Sequence, residues 1–423
     1  MERVLTRNFS PGGGTAWIEA YEANGGYSGL RKAVGMAPEE VIKLVAVSKL
    51  RGRGGAGFPT SMKWSSVIPI ADSARPRYIA CNFDEMEPGT FKDRFLVEGD
   101  PHQLIEGIVI AGWACQADIG FIFIRDEYRV SHDVLMRAIA EARDKGYLGQ
   151  NVLGMGWGFE LHIHVSGGRY MCGEETGLLN ALEGRPAQPR SKPPYPGTSG
   201  LWGKPTVVQN VETLCCVPHI IVNGPEWFVG LGKAKDSGTK IYGASGRVNK
   251  PGAWELPMGS TLRDLLDNAG GMREGYSFRA ALPGGASTMF MDAAQLDVPL
   301  EFESLRELGL FFGTGTAIVV DDKACPVGLC ANLAMFYARE SCGWCTPCRE
   351  GLPWVEKLLK AIEAGEGREG DIDLLLDMAR NIGPNTYCAL APGAMFPIES
   401  GIKMFREDFE EHITQGRCTY RLP

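Results

Sequence analysis

Three cysteines, Cys342, Cys345 and Cys348, stand in a C-x₂-C-x₂-C run. Thiolates at this spacing can wrap three corners of an iron–sulfur cubane, and a fourth ligand closes the site. In a contiguous four-cysteine run the last ligand follows after three residues with proline behind it. Here Arg349-Glu350-Gly351-Leu352 follows instead. Cys388, between Asn385-Thr386-Tyr387 and the Pro392-Gly393 turn, is the best fourth ligand, with Cys325, Cys330 and Cys418 as alternatives. Structural zinc is the competing reading, but zinc sites usually present separated C-x₂-C or Cys/His pairs, and no histidine is near Cys342 or Cys388 in sequence. Cys81, Cys115, Cys172, Cys215 and Cys216 read as core thiols.

Four further segments carry ligand-binding chemistry. In Arg51-Gly52-Arg53-Gly54-Gly55-Ala56-Gly57-Phe58-Pro59, the glycines fit G-x-G-x-x-G formally, but an expected helix precedes them and Pro59 follows. Bare backbone can still lie against a phosphate or planar ring, with Arg53 and Lys63 supplying charge; Phe58 and Trp64 favour a packed loop over a linker. The run Asn82 to Thr90 follows an expected parallel strand, where open α/β sheets bind ligands. Asn82 and Asp84 there can bond a heterocycle edge or ribityl hydroxyls, whereas a solvated acidic loop is the bland alternative. Gly167 to Thr176 ends in a helix start near Glu174, where free N–H groups and paired carboxylates can face a ligand or merely cap the helix. Gln209-Asn210-Val211-Glu212-Thr213 opens another helical run with amides and a hydroxyl.

The elements that must position these groups follow from periodicity. Pro38–Leu50 reads as a helix with proline in its first turn, Tyr78–Cys81 as a strand, Leu104–Ala114 as a buried helix and Ile119–Ile124 as a buried strand. Ser131 is the expected cap of a helix that Gly146 ends. Phe159, Leu161, Ile163 and Val165 alternate inward along a strand, with Glu160, His162 and His164 outward. Strand, helix, strand in this order predicts a parallel α/β layer. Arg185–Gly200 must be extended. Residues 238–322 read as a small β-plus-helix unit with Ser260 capping its helix, and from Leu329 the pattern is helical apart from the Cys342 and Cys388 loops and a Gly365–Gly370 linker.

Composition narrows the function classes. The chain has 423 residues, a soft prior of roughly three domains. Its formal charge of −8 and lack of a basic stripe argue against nucleic acid as a partner. No uncharged apolar run reaches the ~18 residues of a membrane helix, since Glu106 and Asp118 interrupt Ile105–Ile124. The N-terminus shows no apolar export signal, so twelve cysteines read as thiols or metal ligands and the expected compartment is the cytoplasm.

These motifs, in this order and spacing, resemble the NADH-binding, FMN-bearing subunit of respiratory NADH:quinone oxidoreductase (complex I). The match rests on segments 51–63, 82–94 and 170–175, on Leu201-Trp202-Gly203-Lys204-Pro205, and on 341–351, and it spans nearly the whole chain. The resemblance implies a Rossmann-like α/β flavin domain within residues 1–237, a ubiquitin-like β-grasp domain of the soluble-ligand-binding type at 238–328, and a helical bundle at 329–423 holding one [4Fe–4S] cluster. It implies FMN contacts from Gly52, Gly54, Lys63, Asn82, Asp84, Gly173, Glu174, Asn210 and Thr213, within a cofactor-binding set that also includes Arg53, Gly55, Ala56, Gly57, Glu85, Tyr170 and Gln209. Phe58, Glu87, Glu175, Lys192 and Tyr195 are implied around NADH, with Glu87 and Glu175 as catalytic carboxylates, although hydride transfer to flavin itself needs no protein acid or base. Cys342, Cys345, Cys348 and Cys388 are the implied iron ligands. Gln209 stands where asparagine is common, Tyr195 where phenylalanine is usual, and Ser66 where a bulky apolar residue usually packs.

The implied activity is oxidation of NADH by FMN, with electrons passed singly to the cluster and onward towards quinone. Implied partners are a thioredoxin-like [2Fe–2S] subunit and a large iron–sulfur subunit. The membrane is reached only through the assembled complex, on the inner face of the cell membrane. The nearest alternative is the diaphorase subunit of an NAD-linked hydrogenase or formate dehydrogenase. Those relatives often carry fused domains, and the reach of this chain favours the respiratory subunit. A non-enzymatic scaffold holding zinc is the rival from another class.

Overall fold

The structure is a computed structural model that describes all residues except 1–2, 11, 69, 71–73 and 421–423. Strands β1 (Tyr78–Phe83), β2 (Ile119–Arg125), β3 (Glu160–Ser166) and β4 (Thr206–Asn210) form a parallel sheet of order β3-β2-β1-β4. The chain walks outward from β1 to β3 and then returns to the other side of β1. The order therefore reverses between β1 and β4, and their ends coincide through the Cys81–Gln209 and Asn82–Asn210 pairs. Crevices at such a reversal are where open α/β sheets take ligands.

The Pro101–Ala114 helix returns the chain from β1 to β2 and is buried along almost its whole length. A Cβ at Gly107 would meet the Leu214 carbonyl oxygen at 2.1 Å, so the bare glycine is what lets this helix pack on the Val211–Asn223 helix. Three local expectations are corrected here. β1 runs on to Phe83, carrying Asn82 into the sheet. The helix after β2 starts at Arg129, and Ser131 lies inside its first turn, donating to Glu98 Oε1 at 2.8 Å. Val165 is 45% exposed although Leu161 on the same face is buried, so the inward alternation does not hold to the end of β3.

A second sheet, of order β6-β5-β8-β7, is built from β5 (Thr239–Ser245), β6 (Gly252–Pro257), β7 (Phe278–Leu282) and β8 (Thr316–Asp321). β5 pairs antiparallel with β6 and parallel with β8. Its helix, Leu262–Asn268, is capped by Thr261 rather than Ser260. The reason is reciprocal: Thr261 Oγ1 accepts from Asp264 N, and Asp264 Oδ2 accepts from Thr261 N, a capping box that Ser260 and Arg263 could not form.

Five helices follow, Pro326–Glu340, Thr346–Glu363, Asp371–Ile382, Leu390–Met404 and Arg406–Gln415, packed on a shared core that includes Tyr337, Leu352, Leu359, Leu375 and Ile398. The first begins three residues before the expected Leu329, because Pro326 suits a first turn and Cys325 Sγ accepts from Gly328 N.

A buried ion cluster joins the two sheets. Glu212 Oε2 accepts from Lys240 Nζ at 2.9 Å and lies 3.0 Å from Lys92 Nζ, while its Oε1 accepts from Ile241 N at 2.7 Å. The backbone amides of Val4, Leu5 and Thr6 all donate to Glu255 on β6. Among the described residues, no helix is long and apolar enough to cross a membrane.

Candidate functional site

Residues at the reversal between β1 and β4 converge. Asn82 Nδ2 donates to the Gly173 carbonyl at 2.9 Å, joining the end of β1 to the turn before the Glu175–Leu182 helix. Asp84 is buried, and its Oδ1 accepts from Ser166 Oγ at 3.2 Å. Its Oδ2 and the Gln209 Nε2 are both buried without a protein partner. Burial pushes Asp84 up to about 7, against the lowering pull of Ser166 and Arg125. Native interiors seldom leave such groups unsatisfied, so an oxygen and an amide N–H₂ here point to a polar ligand.

The glycine segment is a closed loop. Arg51 bridges Pro59, Gly52 N donates to Phe58 O at 2.9 Å, and Arg53 N donates to Thr213 Oγ1 at 2.8 Å. A Cβ on Gly54 would press Asn210 Cβ at 3.2 Å. Gly57 has φ +66°, and a Cβ there would strike the Phe302 ring at 2.5 Å. Gly55 and Ala56 complete the loop; a Cβ on Gly55 would come no closer than 3.8 Å, to the Gly313 backbone. The loop is thus wedged between the start of the Val211–Asn223 helix and the second sheet, its backbone bare. The charge expected from Arg53 is not available there. Its guanidinium is buried and donates through Nη2 to Ser237 O at 2.8 Å and Thr239 O at 3.4 Å.

Several carboxylates expected to face ligands have structural partners instead. Glu85 accepts from Asp93 N, Arg94 N and the Tyr128 hydroxyl, capping the Lys92–Gly99 helix. Burial pushes it up to about 7. Glu87 accepts from the Tyr170 hydroxyl at 2.6 Å and from Ser287 N at 2.6 Å, tying the first sheet to the loop after β7. Glu174 Oε2 caps the next helix through Thr176 N and Gly177 N, each at 2.8 Å. Asn210 caps its own helix by accepting from Glu212 N, and donates to Asp93 Oδ2 at 2.7 Å.

Glu175 differs. It lies 2.7 Å from Lys63 Nζ and 2.5 Å from Lys192 Nζ. Burial alone would raise it, but the two ammonium groups win and hold it below the ordinary carboxylate range. Phe58, whose ring centre is 6.0 Å from Lys63 Nζ, is 47% exposed, and Tyr195, three residues after Lys192 in the chain, is 61% exposed. Ser66 has a steric reason. A Cβ on Gly197 would fall 1.9 Å from Ser66 Oγ, so the 185–200 segment passes too close for a bulky side chain.

The cysteine quartet forms where the bundle meets that segment. Cys342 and Cys345 lie in the loop before the Thr346–Glu363 helix, Cys348 in that helix's first turn, and Cys388 just before Leu390–Met404. Burial raises the Cys348 thiol, and Cys342 and Cys345 add to the shift. Burial likewise pushes Cys388 up to about 11, with Cys342 and Cys348 contributing. Ser341 Oγ lies 3.1 Å from Cys348 Sγ, and Tyr387 N donates to Cys345 Sγ at 3.3 Å. Four sulfurs with O–H and N–H donors around them suit an iron–sulfur cluster. Of the alternatives, Cys330 sits inside the Pro326–Glu340 helix against the Pro397 carbonyl, while Cys325 and Cys418 belong to a separate cluster. The Tyr387 hydroxyl lies 2.5 Å from Ser191 Oγ, linking the cysteine loop to the Lys192 segment.

Ser166, Arg125, Ser287 and Ser341 are site-supporting residues that sequence reasoning did not single out. Only Ser166 carried a usable signal, as the last residue of a parallel strand. Arg125 and Ser287 act through contacts distant in sequence, whereas Ser341 lies seven residues from the Cys348 it touches.

Comparison with known proteins agrees with this geometry. Residues 45–219 match the Nuo51 FMN-binding domain, 328–412 the NADH-ubiquinone oxidoreductase-F iron-sulfur binding region, and 243–290 the SLBB domain. The F subunit of the NADH-quinone oxidoreductase of Salmonella typhimurium is 55% identical over 402 residues, 94% of this chain and 90% of that protein. The F 2 subunit of the Rhizobium meliloti enzyme is 48% identical over 421 residues, 99% of each. A solved NAD⁺-reducing [NiFe]-hydrogenase in the H₂-reduced state aligns with a TM-score of 0.80 at 35% identity, covering 90% of this chain but only 64% of the hydrogenase chain. By fold, site and similarity along the chain, the protein belongs to the family of NADH-quinone oxidoreductase F subunits.

Proposed function

We propose that the chain is the NADH-oxidising subunit of an NADH-quinone oxidoreductase, holding FMN, NADH and one [4Fe–4S] cluster. The observation that carries the reading is the pair of orphaned polar groups, Asp84 Oδ2 and Gln209 Nε2, beside a bare glycine loop at the sheet's reversal. When bound, FMN supplies two-electron acceptance from NADH with one-electron release, and the cluster supplies one-electron carriage. The protein supplies position and electrostatics. Asp84, Gln209, Asn82 and the Gly52–Gly57 loop hold the flavin. Phe58 and Tyr195 offer aromatic faces to the nucleotide. Lys63 and Lys192 hold the Glu175 carboxylate ionised, so that it can accept hydrogen bonds from ribose hydroxyls. Cys342, Cys345, Cys348 and Cys388 hold the iron, with Ser341 and Tyr387 N tuning the sulfurs. Glu87 acts by holding Tyr170 and Ser287 in place rather than by moving a proton.

In this reading residues 1–237 are a Rossmann-like flavin domain, 238–328 a β-grasp domain and 329–423 the cluster bundle. The partners are a thioredoxin-like [2Fe–2S] subunit and a large iron–sulfur subunit, and the membrane's inner face is reached through them. Identity of 48–55% to quinone-linked relatives, against 35% to the hydrogenase, favours this assembly over a hydrogenase diaphorase. Anaerobic addition of NADH to the purified chain is the test. Bleaching of flavin absorbance, followed by ferricyanide reduction on adding acceptor, is expected. A flavin-loaded chain whose spectrum is indifferent to NADH overturns the reading.

A further inference from the structure

At the far end of the bundle from the cysteine quartet, four potential ligands converge from four separate segments. Cys325 precedes the Pro326–Glu340 helix, Glu363 ends the Thr346–Glu363 helix, His412 lies on the last helix, and Cys418 follows it. Their ligand atoms all lie within 4.8 Å of one another. Cys325 Sγ is 3.2 Å from Glu363 Oε2 and 3.4 Å from His412 Nε2, which is 3.5 Å from Glu363 Oε2. Donors bound tetrahedrally at about 2.0–2.3 Å stand roughly 3.3–3.8 Å apart, so these edges are already those of a single-ion site. The quartet is a different place: Cys348 and Glu363 occupy opposite ends of one helix, about 22 Å apart along its axis.

The surroundings also favour a metal. His412 Nδ1 lies 2.6 Å from the Asp408 carbonyl, which can only accept, so Nδ1 donates there and Nε2 is the ring atom that faces the cluster. Ligand histidines are characteristically fixed in this way. Gly328 N donates to Cys325 Sγ at 3.2 Å, so the sulfur is already fixed in place at the start of the Pro326–Glu340 helix. Asp408 is itself held by Arg279 Nη2 at 2.6 Å, so the carbonyl that orients the imidazole is anchored to β7.

We propose that Cys325, Glu363, His412 and Cys418 form a structural zinc site that staples the last helix and the segment after it to the junction of β8 and the bundle. Two sulfurs, one imidazole nitrogen and one carboxylate oxygen are a borderline-soft, tetrahedral set suited to Zn²⁺. On binding, each thiol releases its proton to solvent as its Zn–S bond forms. The site is independent of the flavin and the quartet, so its test does not read activity.

Metal analysis of the full chain, purified with its flavin and iron, then exposed to zinc and dialysed, should give about one zinc per chain. Cys418→Ser should lower zinc by about tenfold or more, with iron and flavin unchanged. X-ray absorption at the zinc edge of the unaltered protein should show two sulfurs at about 2.3 Å and two nitrogen or oxygen donors at about 2.0–2.1 Å, which decides the matter even if the variant does not fold. A zinc-free chain overturns the proposal, and so does a four-sulfur shell, which would put zinc in the quartet.

Discussion

Gly57→Ala tests whether the glycine loop must be bare where it meets the second sheet. The backbone at Gly57 has φ +66°, which costs an L-residue about 1–2 kcal/mol. The new methyl would also stand 2.5, 2.6 and 2.9 Å from Phe302 Cδ1, Cγ and Cε1. Phe302 cannot step aside easily, because it is buried and packs edge-on against Phe312 at 5.0 Å. Overpacking of this kind costs about 1–3 kcal/mol, so the total is about 2–5 kcal/mol. Urea unfolding of the full chain reads the stability, and flavin absorbance after gel filtration reads retention. Both should fall. In the double variant Gly57→Ala/Phe302→Leu the clash part should return while the backbone part stays, giving a coupling of about 1–3 kcal/mol. Gly55→Ala is the comparison: its φ of +126° is strained, but its nearest neighbour is 3.8 Å away, so Phe302→Leu should not rescue it. A Gly57→Ala protein as stable and flavin-rich as the parent would show that the loop tolerates a side chain against Phe302.

Glu175→Gln should raise kcat/KM for NADPH relative to NADH by about tenfold, measured by ferricyanide reduction. The gain is held to that size because Lys63 and Lys192 already offset part of the carboxylate's repulsion of a 2′-phosphate; an unchanged ratio removes Glu175 from nucleotide choice. Asp84 binds its proton more tightly folded than unfolded, so its contribution to stability is intact in acid and is lost as pH rises from about 4 to about 7. Comparing unfolding of the parent and Asp84→Asn across that range isolates this slope from those of Glu85 and Asp100; parallel curves would exclude it. Cys345→Ala should remove the paramagnetic signal of the reduced cluster while flavin stays bound, and persistence of about four irons per chain would count against the quartet.

What the sequence discloses about the site divides along physical lines. The cysteine run is legible because three thiols lie within seven residues, a spacing visible without any tertiary contact. The parallel layer is legible from β2 and β3, whose periodicity is local. The direction of a long side chain is not. Arg53 looks like a phosphate ligand in sequence, yet its guanidinium turns inward to carbonyls of Ser237 and Thr239, some 184 residues away. Glu85 and Glu174 look like ligand carboxylates but cap helices, since an acid before a helix start serves either role. Ser260 and Thr261 differ as caps only through which of them has an acid three residues on. Cys325 and Cys418, 93 positions apart, share no spacing rule at all.

The buried meeting of Glu212 with Lys92 and Lys240 also sets a timetable for the nascent chain. Residue 212 leaves the ribosome with Lys92 and Arg53 already made but Lys240 not. Lys240 and the Ile241 amide arrive later, and Glu255, which holds the amides of Val4 to Thr6, later still. An ion left half-matched in a dry interior costs about 3–5 kcal/mol, comparable to the whole margin of a small domain. Lys240 and the Ile241 amide reach Glu212 only after all four strands of the first sheet have been made, so this junction between the two sheets closes late in synthesis. A fragment ending at residue 237 should keep the Glu212–Lys92 pair but lose the Lys240 and Ile241 contacts, and urea unfolding should show it less stable than the full chain.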